Sequence, residues 1–116
     1  MKEQIYHITT YAAWQEATAQ GIYRDSSLDH EGFIHCSYPE QLARTASRYF
    51  AGQNNLLILG INRTQTGCDV VDEDLYGANE LFPHVYGPIP AHAVFDVIPL
   101  LSDADGSFSL PSQLRA

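Results

Sequence analysis

Residues 31–40 read EGFIHCSYPE, a short apolar run that ends in polar residues and the start of a helix. The Phe-Ile pair predicts a buried strand, and Ser37 with Glu40 matches the S-x-x-E capping box that opens many helices. A side chain at such a junction lies beside unpaired backbone N–H groups, where the helix dipole favours an anion. His35 and Ser37 are therefore candidate ligand contacts, although packing for His35 and capping for Ser37 explain the pattern equally well.

The composition predicts one domain that binds small molecules rather than nucleic acid. The 116 residues suit a single core, and we divide them into a core of residues 1–101 and a polar tail of residues 102–116, with a weak strand at 107–109. The formal net charge of −8 argues against a protein that neutralises a phosphate backbone. An anionic ligand would have to be held locally, by histidines, backbone amides or one of the few arginines.

The location expected for this protein is the cytoplasm. No apolar run approaches the roughly 18 residues of a membrane span, and the N-terminus does not resemble a signal peptide. Cys36 and Cys68 form no C-x-x-C pair, so they indicate neither a zinc ribbon nor a disulfide framework. We expect both to be reduced thiols, and no membrane partner.

The first sixty residues alternate strand and helix. Residues 4–8 predict a strand in which His7 shares a face with apolar Ile5 and is at least half buried. Thr10 can cap the helix that follows, and Gly21 can end it. A second helix is expected from Tyr38 to about Phe50, packed on two core strands at residues 56–61 and 94–98.

Two later stretches carry candidate chemistry. Residues 69–74 form a short strand that runs into acidic residues, of which Glu73 is the best candidate to face a ligand ribose or a developing cation. Residues 81–90 hold a histidine and a tyrosine among prolines and glycine. Val85 separates His84 from Tyr86, so in an extended chain both polar side chains point the same way and Val85 points into the core.

Three motifs together resemble the domain-of-unknown-function family 952. They are Ile5-Tyr6-His7-Ile8-Thr9 followed by Trp14, then Gly32-Phe33-Ile34-His35-Cys36-Ser37, then Phe82-Pro83-His84-Val85-Tyr86-Gly87-Pro88. They occur in order and span nearly the whole chain. The resemblance implies an ADP-ribosyltransferase-like fold: a single compact α+β domain of two small, mostly antiparallel sheets flanked by two main helices, with NAD as a possible substrate.

The resemblance also implies roles for individual residues. A histidine on the first strand of such folds contacts the NAD ribose, and His7 falls there. A hydroxyl or aromatic group at the second strand–helix junction frames the nicotinamide, and Ser37 with Phe33 falls near it. The usual late-strand glutamate is missing from its motif, which offers His84 and Tyr86 instead, with Glu73 upstream.

Three functions from different classes remain open. The first is an enzyme of ADP-ribosyltransferase type, and the second is a module that binds a small molecule or partner without catalysis. The third is a metal-dependent hydrolase that uses His7, His35 and His84, although no H-x-x-x-H or H-E-x-x-H spacing supports it. A Cys-His hydrolase is disfavoured, because strand alternation points Cys36 away from His35.

The candidate residues fall into two groups and include no metal ligand. The candidate catalytic residues are Glu73 and His84, and the candidate ligand-binding residues are His7, Phe33, His35, Ser37 and Tyr86.

Overall fold

The strands that this computed structural model describes form three antiparallel sheets. The structure describes residues 3–75, 77–106, 108, 110 and 114. The strands are β1 (Gln4–Thr10), β2 (Ile22–Tyr23), β3 (Ile34–His35), β4 (Leu56–Asn62), β5 (Val70–Glu73), β6 (Phe82–Val85), β7 (Ile89–Pro90) and β8 (Val94–Leu100). The strand order is β1-β4-β8 in the first sheet, β2-β7 in the second and β3-β6-β5 in the third. The helices are α1 (Tyr11–Gln20), the single turn α2 (Ser27–His30) and α3 (Pro39–Phe50), with 3₁₀ turns at Arg63–Gln65 and Ala91–Ala93.

The first sheet confirms the two predicted core strands. β4 pairs with β1 along one edge and with β8 along the other, so its backbone groups are paired on both sides. Its continuous apolar run is buried on both faces, from Leu56 to Ile61. β8 forms an edge of this sheet and buries Ile98 and Leu100 on one face only, while Val97 on the other face is 37% exposed.

Helix α1 begins and ends where the sequence predicts. The Thr10 side-chain oxygen accepts a hydrogen bond from the N–H of Ala13 at 3.1 Å, which satisfies one of the free first-turn donors. Gly21 adopts φ +77°, the left-handed conformation that glycine takes without a Cβ penalty, and its N–H donates to the Ala17 carbonyl.

Helix α3 begins later than predicted, and the Ser37–Glu40 capping box is wrong. The N-cap is Tyr38, and the Gln41 side-chain oxygen accepts from its backbone N–H at 2.9 Å. Pro39 is the physical reason, because its fixed φ and missing N–H suit the first helical position. Ser37 instead exchanges two backbone hydrogen bonds with Tyr6.

The second sheet is additional to the two small sheets expected. It joins Ile22–Tyr23 to Ile89–Pro90 through a two-residue ladder. A ladder this short has no readable alternation, so only the fold brings the segments together. The coarse prediction of a single α+β domain with antiparallel sheets and two main helices is confirmed.

The third sheet separates a buried face from a polar face. His35 pairs with His84 across β3 and β6, and Glu73 pairs with Phe82 across β5 and β6. Ile34 and Val85 are fully buried on the inner face. Strand alternation puts His35, His84 and Glu73 on the opposite face, which we call the site face.

Among the described residues, two apolar clusters form the core. One lies between the sheets and includes Cys36, whose thiol is 3% exposed and points away from His35 as predicted. The other lies under α3 and includes Phe108 and Leu114 from the tail predicted to be polar. Of the weak strand predicted at 107–109, only Phe108 lies within the described residues, where it bridges to Ser102. Among the helices described, none is long and apolar enough to cross a bilayer.

Candidate functional site

The Glu73 carboxylate joins two candidate side chains on the site face. Its Oε1 atom accepts hydrogen bonds from Nδ1 of His84, at 2.9 Å, and from the hydroxyl of Tyr86. Because an ionised carboxylate only accepts, Nδ1 of His84 carries the proton, and Nε2 is the remaining basic nitrogen. The structure therefore brings both candidate catalytic residues together, with Tyr86 as the third member.

The carboxylate of Glu73 is held ionised by these donors. The Tyr86 hydroxyl, followed by the His84 imidazole, lowers the pKa of Glu73 below its ordinary value. The same hydrogen bond raises the pKa of Tyr86, since losing the phenol proton would leave two negative oxygens in contact. At neutral pH the site face thus carries a fixed negative charge.

Phe33 lies behind this group and is covered by it. Its ring stacks on His84 with centroids 4.2 Å apart and an interplanar angle of 22°, and it also contacts the rings of His35 and Tyr86. It is only 4% exposed. Phe33 therefore packs against the polar side chains rather than offering a free ring surface to a ligand.

His35 lies beside His84, with ring centroids 5.4 Å apart. Its Nε2 atom is 2.6 Å from a carboxylate oxygen of Glu31, and both side chains are well exposed. Sequence reasoning missed Glu31, although it belongs to the motif that opens with EGF. Its spacing could have indicated it, because an acidic residue four positions from a histidine can bond the imidazole and fix its orientation.

His7 belongs to a different, buried network on the far side of β3. Its Nδ1 lies 2.5 Å from the carbonyl oxygen of His35, and its Nε2 lies 2.8 Å from the hydroxyl of Tyr23. It is 7% exposed, more deeply buried than the sequence requires. Both ring nitrogens are thus bonded to protein, and His7 reaches the site face only through the backbone of His35.

The network around His7 continues through Tyr23 to Asp25. The Tyr23 hydroxyl contacts Thr9 Oγ1 at 2.9 Å and Asp25 Oδ1 at 3.1 Å. The nearby imidazole of His7 holds the pKa of Asp25 well below its usual range, and burial raises the pKa of Tyr23. Sequence reasoning missed Tyr23 and Asp25 in this network, because the link between β1 and β2 exists only in the folded chain.

Ser37 is placed apart from the Glu73 group. Its side-chain oxygen lies 3.3 Å from Thr45 Oγ1 on α3, and it is 4% exposed. Its backbone is paired with Tyr6. These contacts tie β1 to the start of α3.

A surface cavity lies on the opposite face of β5. Its volume is about 530 Å³. It is lined by Tyr38, Glu40, Gln41, Arg63, Asp72, Glu80 and Leu81, none of which is a predicted site residue. Within it, Arg63 donates to the Tyr38 hydroxyl at 2.6 Å and pairs with Asp72 at 3.1 Å. Alternation along β5 turns Asp72 into this cavity and Glu73 onto the site face.

A metal centre finds no support in the described part of the chain. No group of three or more His, Cys, Asp and Glu side chains there is arranged to hold an ion. His7 is also separated from His35 and His84 by the β3 backbone, whose carbonyl it contacts.

Fold and site together define a small α+β domain with a Glu-His-Tyr group on one sheet face. The chain belongs to the family described as protein of unknown function (DUF952), whose model matches residues 8–97. This confirms the family resemblance of the three motifs.

Solved structures of one bacterial protein are similar to this chain. The crystal structure of protein CC0527 from Caulobacter crescentus has 37% sequence identity and a TM-score of 0.86, and the match covers 96% of this chain and 97% of that chain. A double mutant of CC0527 gives the same values. The solution NMR structure of CC0527 has 36% identity and a TM-score of 0.79 over 91% of each chain. No curated protein matches the chain.

Proposed function

We propose that the site face binds a nucleoside or nucleotide, with NAD as the first candidate, and that Glu73 promotes cleavage of the bond between ribose and base. The observation that carries this proposal is the pair of donors, His84 and Tyr86, that fix one oxygen of Glu73. The product would be ADP-ribose transferred to an acceptor or released to water. The likeness of the motifs to ADP-ribosyltransferase-like folds supports the same chemistry.

The chemistry needs a fixed anion. Positive charge develops on the sugar as a glycosidic bond breaks, and a carboxylate already in place stabilises that charge more than it stabilises the ground state. Glu73 meets this requirement because its lowered pKa keeps it ionised and its two donors restrict its rotation. His84 is itself 2% exposed, so its role in this proposal is to hold the Glu73 carboxylate in position through Nδ1.

The remaining predicted residues have supporting roles in this proposal. His35 reaches the surface next to His84 and can contact the ligand directly. Phe33 holds His84 in place, and His7 holds the His35 backbone. Ser37 joins β1 to α3. Location in the cytoplasm belongs to the same proposal, since Cys36 and Cys68 are unbonded thiols.

A second candidate function is binding without catalysis. The observation that favours it is that the cavity of about 530 Å³ lies on the other face of β5, away from Glu73. Catalysis of glycosidic cleavage usually requires a substrate enclosed away from water. A binding module has no such requirement.

One variant separates the two functions. Glu73→Gln keeps the size of the side chain but removes its charge, so turnover should fall roughly 100-fold or more while nucleotide affinity stays within a few-fold. The measurements are nicotinamide release from NAD and isothermal titration. Glu16→Gln, on the exposed side of α1, is the matched control and should change neither.

Measurements on the wild-type protein also distinguish catalysis from binding alone. A ligand with a micromolar dissociation constant, added at millimolar concentration, stabilises the fold by about 4 kcal/mol, which a thermal shift detects. Binding with no nicotinamide release, with or without acceptors, selects the binding module. Absence of any shift with nucleosides and nucleotides contradicts nucleotide binding at this site, with or without catalysis.

A further inference from the structure

Two carboxylates stand at the surface of the site face. Glu73 contacts His84, and Glu31 contacts His35, so the two histidines that touch each other each bind a carboxylate. The Glu31 side chain is 38% exposed and that of Glu73 is 21% exposed. A ligand that approaches this face therefore meets two negative side chains.

The arginines of the described chain are engaged elsewhere. Each has a partner outside the site face: Arg24 pairs with Asp29, Arg44 with Glu80, Arg63 with Asp72, and Arg48 lies over the ring of Tyr49. In the first turn of α3, the backbone N–H of Tyr38 is bonded to the Gln41 side chain, that of Gln41 is bonded to the Tyr38 carbonyl, and Pro39 has none. The arginines that a phosphate would bind are thus placed away from Glu31 and Glu73, and the two histidines beside these carboxylates are each already paired with one of them.

We propose that the site selects a nucleoside with a positively charged base and no phosphate, such as an N-ribosyl pyridinium, over the phosphate-bearing dinucleotide. This inference rests on the proposed function and names its substrate class. A pyridinium ring is attracted by the two carboxylates, whereas a pyrophosphate is repelled by them and by the net charge of −8. The inference reverses the expectation, from the sequence, of an anionic ligand held by His35.

A positively charged nucleobase is also a good leaving group for the proposed cleavage. When the bond between ribose and pyridinium breaks, the electron pair of that bond returns to the ring nitrogen, so the base leaves as a neutral molecule and the positive charge passes to the sugar. Water or an acceptor hydroxyl adds to the sugar carbon, and its proton passes to the solvent. Glu73 faces the charge throughout, first on the bound ligand and then on the ribose.

Four probes test the charge preference at pH 8 and low salt: nicotinamide riboside, its 5′-monophosphate, NAD, and the reduced, uncharged dihydronicotinamide riboside. Isothermal titration should show nicotinamide riboside binding at least tenfold more tightly than NAD, with the monophosphate between them. The reduced riboside has nearly the same shape but no charge, and it should bind about tenfold more weakly than the cation.

The variants localise the effect. Glu73→Gln and Glu31→Gln should each reduce the preference for the charged riboside over its reduced form several-fold, and Glu16→Gln should leave it unchanged. Equal or tighter binding of NAD overturns the inference, and if nicotinamide is released, the proposed function survives. Equal binding of charged and reduced ribosides also overturns it. Absence of binding by all four probes overturns both the inference and the function on which it rests.

Discussion

Phe33 and His84 lie face to face, with ring centroids 4.2 Å apart and planes inclined by 22°. Both are almost fully buried, although His84 also carries the polar contact to Glu73. The stack therefore packs a purely apolar ring against the side chain of a candidate site residue.

Replacing Phe33 by leucine should loosen this support without emptying the site. We expect a loss of about 1 kcal/mol in the free energy of unfolding, because apolar volume is nearly kept but the ring contacts disappear. Urea denaturation measures the loss, and the His84 ring proton shifts should move in NMR spectra. Phe95→Leu on half-exposed β8 is the control, and an unchanged His84 shift in Phe33→Leu contradicts the role given to the stack.

Removing the Tyr86 hydroxyl should raise the pKa of Glu73 toward its ordinary value. The hydrogen bond from Tyr86 is the largest cause of the lowered pKa, so Tyr86→Phe should raise it more than His84→Asn does. Carboxyl carbon shifts followed by NMR during an acid titration report the value directly. A Glu73 pKa that stays low in both variants would mean that another group holds the charge.

Asp25 should make the fold acid-sensitive. Its pKa is depressed in the folded chain, so its contribution is present above the unfolded pKa of about 3.9 and is lost as pH falls from there toward the folded pKa. Asp25→Asn should be less stable at pH 7 and should lose less stability than wild type between pH 5 and pH 3. Urea midpoints across this range measure both effects.

The control for Asp25 is Asp29, whose side chain is 74% exposed and pairs with Arg24 at the surface. Exposed pairs of this kind contribute about 0–1 kcal/mol. Asp29→Asn should therefore keep the wild-type acid sensitivity. Equal flattening in both variants would show that the His7 network is not its source.

Truncation of Ile58 should be costly because β4 is buried on both faces. Ile58 is 0% exposed under α3, and Ile58→Ala should lower the free energy of unfolding by about 2–5 kcal/mol through lost burial and a residual cavity. Val97, on the exposed face of β8, is the comparison, and Val97→Ala should cost well below that. Similar urea midpoints for the two variants would contradict the central position of β4.

Local patterns predicted the elements whose signal lies within a few residues. Alternation placed His84 and Tyr86 on one face with Val85 in the core, and Thr10 and Gly21 marked the ends of α1. The same reasoning failed at Ser37, where the capping pattern was present but Pro39 fixed the helix start one residue later. Here the capping pattern and the proline favoured different helix starts, and the fixed backbone geometry of the proline determined the observed one.

Contacts between distant segments could be predicted only in part. Glu73 was a candidate from its position at a strand end, but its bonds to His84 and Tyr86 depend on the register of β5 against β6. His7 has the right strand and face, yet β3 stands between its ring and the site face. Which segment lies on each side of a strand depends on how the sheets assemble, so it could not be predicted from the local patterns of one sequence.

Because Cys36 is buried, the reaction of its thiol with a labelling reagent reports when the folded protein opens. Its thiol lies between the sheets, and burial raises its pKa, so it is neither reachable nor ionised in the folded state. Alkylation at this position must then wait for the sheets to separate. In a protein whose Cys68 is replaced by serine, the labelling rate of Cys36 would count transient unfolding events under native conditions, with no denaturant added.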